Sequence, residues 1–120
     1  MIRRIGIDFG TSTTVLQVKN YESDGVTPIG DRIDTKDVKF GKQSYCDTYV
    51  KQRQDRWYCG PEALKNIPDA KLYTNFKMQL ESPDAAIAAE AREATLHFFE
   101  YLYKTYAEQR DNGQFGEKTE

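Results

Sequence analysis

Two apolar, β-branched runs separated by three small polar residues open this chain, and they leave it few ways to begin folding. Ile5, Ile7 and Phe9 alternate with Gly6 and Asp8, the period of a half-buried strand. Thr13 to Val18 resumes a β-branched run through Val15 and Leu16. With Gly10-Thr11-Ser12 between them, the two runs predict an antiparallel hairpin. The tip of that hairpin is chemically unusual. Asp8 brings a carboxylate near the end of the first strand, Gly10 permits close approach of the backbone, and Thr11, Ser12 and Thr13 add hydroxyl donors. Backbone N–H groups converging on one point, with hydroxyls around them, suit a phosphate. Asp8 then suits that phosphate's magnesium, reached through the ion's water shell because magnesium gives up water reluctantly.

The rest of the chain must bury this hairpin with limited means. At 120 residues it has room for one domain with a modest core. Only 38% of its residues are hydrophobic, so its eight Tyr, six Phe and single Trp have to carry much of the burial. Seventeen basic against nineteen acidic residues, mixed along the sequence, argue against nucleic acid or an anionic membrane as partner. No apolar run of signal-peptide or membrane-spanning length follows Met1-Ile2-Arg3-Arg4. Cys46 and Cys59 stand apart, without a Cys-x-x-Cys pair or a neighbouring His, so reduced thiols and a cytoplasmic location are expected.

After the hairpin, Asn20 to Gly25 reads as a polar turn and Val26 to Ile33 as a short strand broken by Pro28 and Gly30. Residues 34–54 mix charges with scattered apolar side chains, which predicts short strands and a mobile loop. Trp57-Tyr58-Cys59 reads as a strand, and Pro61 as the first position of a helix that Pro68 stops. Leu72, Tyr73, Phe76 and Leu80 favour a short helix. The strongest periodic signal lies further on. Ser82 as cap, Pro83 and Asp84 in the first turn, and an apolar stripe of Ile87, Ala91, Ala94, Phe98, Leu102 and Tyr106 predict a helix ending near Arg110, with Gly113 just past it. Such a helix is roughly 40 Å long. Residues 1–110 are thus expected to fold as one unit, and 111–120 to form a flexible tail.

The run Ile5-Gly6-Ile7-Asp8-Phe9-Gly10-Thr11-Ser12-Thr13-Thr14 resembles the first phosphate motif of the superfamily that includes actin, sugar kinases and heat-shock ATPases. Tyr58-Cys59-Gly60-Pro61-Glu62-Ala63-Leu64-Lys65-Asn66 and Thr74-Asn75-Phe76-Lys77-Met78-Gln79-Leu80 resemble, in that order, two segments of the seventy-kilodalton heat-shock chaperones. The resemblance implies an α/β, ribonuclease-H-like first lobe, truncated, with an antiparallel hairpin sheet packed on one long C-terminal helix. It implies ATP or ADP with Mg2+ as cofactors, Asp8 near the metal, and Gly10, Thr11, Ser12 and Thr13 around the β- and γ-phosphates. The implied activity is ATP hydrolysis by a molecular chaperone, with client peptide bound elsewhere in the full-length protein. An actin-like filament subunit and a small-molecule kinase of the same superfamily share the hairpin and are the alternatives.

The match is incomplete. A catalytic lysine is expected four residues after the glycine, where Leu64 stands. Lys65 is one place further, a rotation of about 100° on a helix, and is the candidate for that role. The second phosphate hairpin and the adenosine-binding segment belong downstream, so the chain is expected to be the N-terminal piece of a larger ATPase domain. Alone it is expected to bind ATP weakly, and to self-associate through the face of the long helix that further strands would cover. His97, with no second His and no Cys at ligand spacing, is expected to be structural.

Overall fold

A computed structural model describes residues 2–29, 35–73 and 75–116. Strands β1 (Ile2–Phe9) and β2 (Thr13–Tyr21) form the expected hairpin, in register from Ile2 opposite Tyr21 to Phe9 opposite Thr14. Two short strands share the far edge of β2, β3 (Lys36–Asp37) against Gln17 and Val18 and β4 (Cys46–Asp47) against Thr13 and Thr14. All these pairings are antiparallel. A second antiparallel sheet has β5 (Val50–Arg53) between β6 (Arg56–Cys59) and β7 (Lys71–Tyr73). The short helix α1 (Phe76–Gln79) and the long helix α2 (Ala85–Asp111) complete the chain. The molecule is mixed α/β, with antiparallel sheets and one long helix.

The sheet packs on α2 because one face of each is apolar. Thr14, Leu16 and Val18, alternate residues of β2, are buried while Gln17 between them is exposed. From α2 the buried stripe is Ala88, Ala91, Ala94, Phe98, Leu102 and Tyr106. Ile87, expected in that stripe, is 40% exposed, and Ala88 takes its place. Small alanines let the first half of the helix lie close to its neighbours, and aromatic rings fill the space along the second half. At 27 residues α2 accounts for the longest dimension of the molecule, 46 Å.

Several elements differ from the sequence-based expectation. The helix is capped by Asp84, which accepts from the amides of Ala86 and Ile87, while Ser82 accepts only from the Asp84 amide. Pro83 therefore precedes the helix. After Pro61 there is a single 3-10 stretch, Gly60–Leu64, which stops before Pro68 is reached. Where one short helix was expected between Leu72 and Leu80, β7 and α1 share the segment, because Tyr73 pairs with Val50 and is drawn into the second sheet. Of the strand expected over Val26 to Ile33, a single bridge between Pro28 and Tyr21 is present, and residues 30–34 lie outside the described residues. The expected tail is not free at its start. Residues 112–116 turn back so that Phe115, 2% exposed, stacks on Tyr106, and its carbonyl accepts from Arg3 and Asn20. Residues 117–120 lie outside the described residues.

Candidate functional site at the hairpin turn

The turn is held from three sides. Phe9 sits at the end of β1 among Phe76, Phe98 and Phe99, with ring centroids 5.1 to 6.0 Å away. On the other side, the amide of Thr48 donates to the Ser12 carbonyl at 2.9 Å, and the Thr14 and Thr48 hydroxyls meet at 2.8 Å in a fully buried pair. Within the turn, the Gly10 amide donates to the Thr13 carbonyl at 3.0 Å. A Cβ on Gly10 would stand 2.4 Å from that carbonyl oxygen, so the residue must be glycine. The Gly10 amide is consequently spent on the turn itself. Among the described residues, the amides of Thr11 and Ser12 donate to nothing, and the side chains of Thr11, Ser12 and Thr13 are exposed. They are the donors open to an anion.

Asp8 is exposed on the sheet face opposite α2, where it helps line a shallow cavity of about 410 Å³ with Gly6, Ile7, Val15 and Gln17. The pleat puts Thr13 and Asp47 on that same face, since Asp8 lies opposite Val15 and Asp47 opposite Thr13. Asp47 has one carboxylate oxygen buried without a partner among the described residues. That orphaned oxygen beside the turn is an acceptor waiting for a donor or a cation. No group of three or more His, Cys, Asp or Glu could hold a metal directly among the described residues. Asp8 and Asp47 put two carboxylates on one sheet face beside the turn, chemistry suited to a cation held through its water shell.

The cation that the fold brings to the turn is Lys77. Phe76, completely buried, pins α1 under the hairpin, and the next residue extends its ammonium to the Phe9 carbonyl at 2.6 Å. The same ammonium lies 5.4 Å from the Phe9 ring centroid. Lys65 is elsewhere. It closes the 3-10 stretch, is exposed, and its carbonyl accepts from Lys51 beside the second sheet. Sequence spacing singled out Lys65 and did not single out Lys77 or Asp47, because both reach the turn only through pairing and packing with partners distant in sequence. A weak signal for Lys77 existed in its place next to an apolar Phe76.

The larger open cleft, about 550 Å³, lies against α2 and contains none of the turn residues. Trp57 and His97 stack there at 4.3 Å, and Glu100 stands 3.7 Å from the His97 ring nitrogen. Cys59 donates its thiol to the His97 carbonyl, and burial pushes that thiol up to about 12. Burial thus disfavours the thiolate of Cys59. The aromatic stack makes His97 a packing residue.

Fold and site together define a mixed α/β protein with a polar, donor-rich turn at one end of an antiparallel hairpin. No protein-family model, no curated protein and no solved structure matches this chain. No helix among the described residues is long and apolar enough to cross a membrane.

Proposed function

We propose that residues 8 to 13 are the first phosphate-binding hairpin of an ATP-binding, ATP-hydrolysing protein of the actin-like superfamily, most similar to the heat-shock chaperones. The observation that carries the reading is the juxtaposition of Lys77, through its 2.6 Å bond to the Phe9 carbonyl, with a turn whose Thr11 and Ser12 amides are open. An ammonium beside undonated amides is an anion-binding arrangement, and charge-assisted hydrogen bonds are the strong ones. In this reading the amides and hydroxyls of Thr11, Ser12 and Thr13 hold phosphate oxygens, and Lys77 swings from the Phe9 carbonyl to a phosphate. Asp8 would hold the ion through its water shell. Magnesium, when bound, would neutralise charge on the β- and γ-phosphates. Catalysis of this kind needs position and charge and no covalent intermediate.

Donors from one hairpin and one lysine make a shallow grip, so a Kd for Mg-ATP of about 1 mM is expected. The test is an amide-resolved NMR titration with Mg-ATP. The amides of Thr11 and Ser12 are expected to shift, and Lys77→Ala to weaken binding about tenfold through loss of a charged contact. Lys65→Ala is expected to leave the titration unchanged. Amides at 11 and 12 that stay in place through millimolar Mg-ATP would overturn the assignment.

A further inference from the structure

Along the outer edge of β1, Ile5 and Ile7 have no strand partner among the described residues. Leu16 and Ser12 of β2 direct their carbonyls to the Val38 and Thr48 amides on the far side, so the odd-numbered residues of β2 face β1. Their partners are the even-numbered residues of β1, which leaves Arg3, Ile5, Ile7 and Phe9 with backbone groups directed outward. The bond from Lys77 to the outward carbonyl of Phe9 agrees with that parity and closes the edge at its C-terminal end. Nothing among the described residues pairs with Ile5 or Ile7 along this edge. Both side chains are also uncovered, 39% and 50% exposed, and with Tyr103 of α2, 61% exposed, they border an apolar groove. A two-sided opening of this kind, backbone and apolar together, invites another strand.

We infer that the occupant is a second copy of this chain, paired antiparallel through β1 with Gly6 opposite Gly6 on the two-fold axis. Parity excludes every register in which odd residues oppose even ones. Of those left, the ones centred on Arg3, Arg4 and Asp8 set like charges opposite each other, and the ones centred on Ile5 and Ile7 set Arg4 or Asp8 against glycine. Centring on Gly6 sets Ile5 against Ile7 of the other copy twice over, and twice over sets Asp8 against Arg4, whose guanidinium within its own chain donates to the Gly25 carbonyl at 2.8 Å and lies over the Tyr21 ring, and would turn from them to the carboxylate. The Ile5 and Ile7 pairs exchange four backbone hydrogen bonds and extend the groove under Tyr103 across the axis. The glycines meet in a non-hydrogen-bonded pair, where strands approach most closely. A Cβ at Gly6 meets nothing within 4 Å, so that position is open. The two four-stranded sheets become one, with both α2 helices on the same face.

The inference does not rest on the nucleotide reading. Both use Asp8, and Gly6 therefore supplies the independent test of register. Sedimentation of the wild-type chain should show a reversible monomer–dimer equilibrium at micromolar to millimolar concentration. Arg4→Asp gives a strand edge with two acidic positions, Asp8→Arg one with two basic positions. Each alone is expected to associate about tenfold more weakly or worse, and an equimolar mixture to recover wild-type association as a heterodimer. Gly6→Cys is expected to crosslink into a covalent dimer under mild oxidation, because opposed Cα atoms in that pair lie within disulfide reach. A strictly monomeric wild type would overturn the proposal. So would a dimer indifferent to both charge variants in which Gly6→Cys fails to crosslink, since another surface would then be the interface. Should a charge variant not fold, as read by circular dichroism, the crosslink alone decides the register.

Discussion

Asp24 shows how much one side chain can settle locally. Its carboxylate accepts from the amides of Val26 and Thr27 and from the Thr27 hydroxyl at 2.6 Å, closing the polar turn after β2. Those bonds, led by the Thr27 hydroxyl, lower its pKa from 3.8 to about 2. Since the folded value lies below the unfolded one, the stabilisation is present above pH 4 and is lost as pH falls from about 4 to 2. A carboxyl NMR titration should find Asp24 still ionised at pH 3, and Thr27→Ala should move it back toward its ordinary value. The hairpin turn at Gly10 to Ser12 was legible in the same way, because a tight turn is specified by its own residues. Lys77 and Asp47 were not. Each reaches the turn through a partner far away in sequence, Lys77 because its neighbour Phe76 packs on Phe9 and Asp47 through its pairing with Thr13.

Elements were read best where their periodicity was long. The α2 stripe was predicted at five of its six buried positions, and the miss at Ile87 is a matter of one residue, as expected at a helix start where the chain direction is set by the cap. Which residue caps was open to misreading, because Ser82, Pro83 and Asp84 all suit a helix start. The geometry decides for Asp84. Asp84→Ala is therefore expected to cost about 1 kcal/mol, and Ser82→Ala appreciably less, measured as the change in denaturation midpoint. Short elements fared worse. Tyr73 has no helix or strand preference strong enough to outvote pairing with Val50, so β7 displaced the expected helix. Asp34 to Gln54 remained obscure in sequence because β3 and β4, two residues each, exist only as additions to the far edge of β2.

For the whole molecule, burial depends on aromatic side chains brought together from its ends. Phe9 from the hairpin, Phe76 from α1, and Phe98 and Phe99 from α2 make one cluster beneath the turn. Phe115 makes a second contact of this kind, and through its carbonyl ties the residues after α2 to Arg3 and Asn20. Phe115→Ala should destabilise the chain by about 3 kcal/mol, visible as a lowered urea midpoint. A loss below a few tenths would mean that residues 112–116 are the linker their composition suggests. What the sequence by itself determined is what acts over a few residues or a regular period: the hairpin, its donor-rich turn and the long amphipathic helix. Tertiary structure alone decided which lysine stands at the turn, which carboxylate shares the sheet face with Asp8 there, and which residues of β1 direct their backbone groups away from β2. Those depend on pairing and packing across long separations, where no local preference specifies the partner.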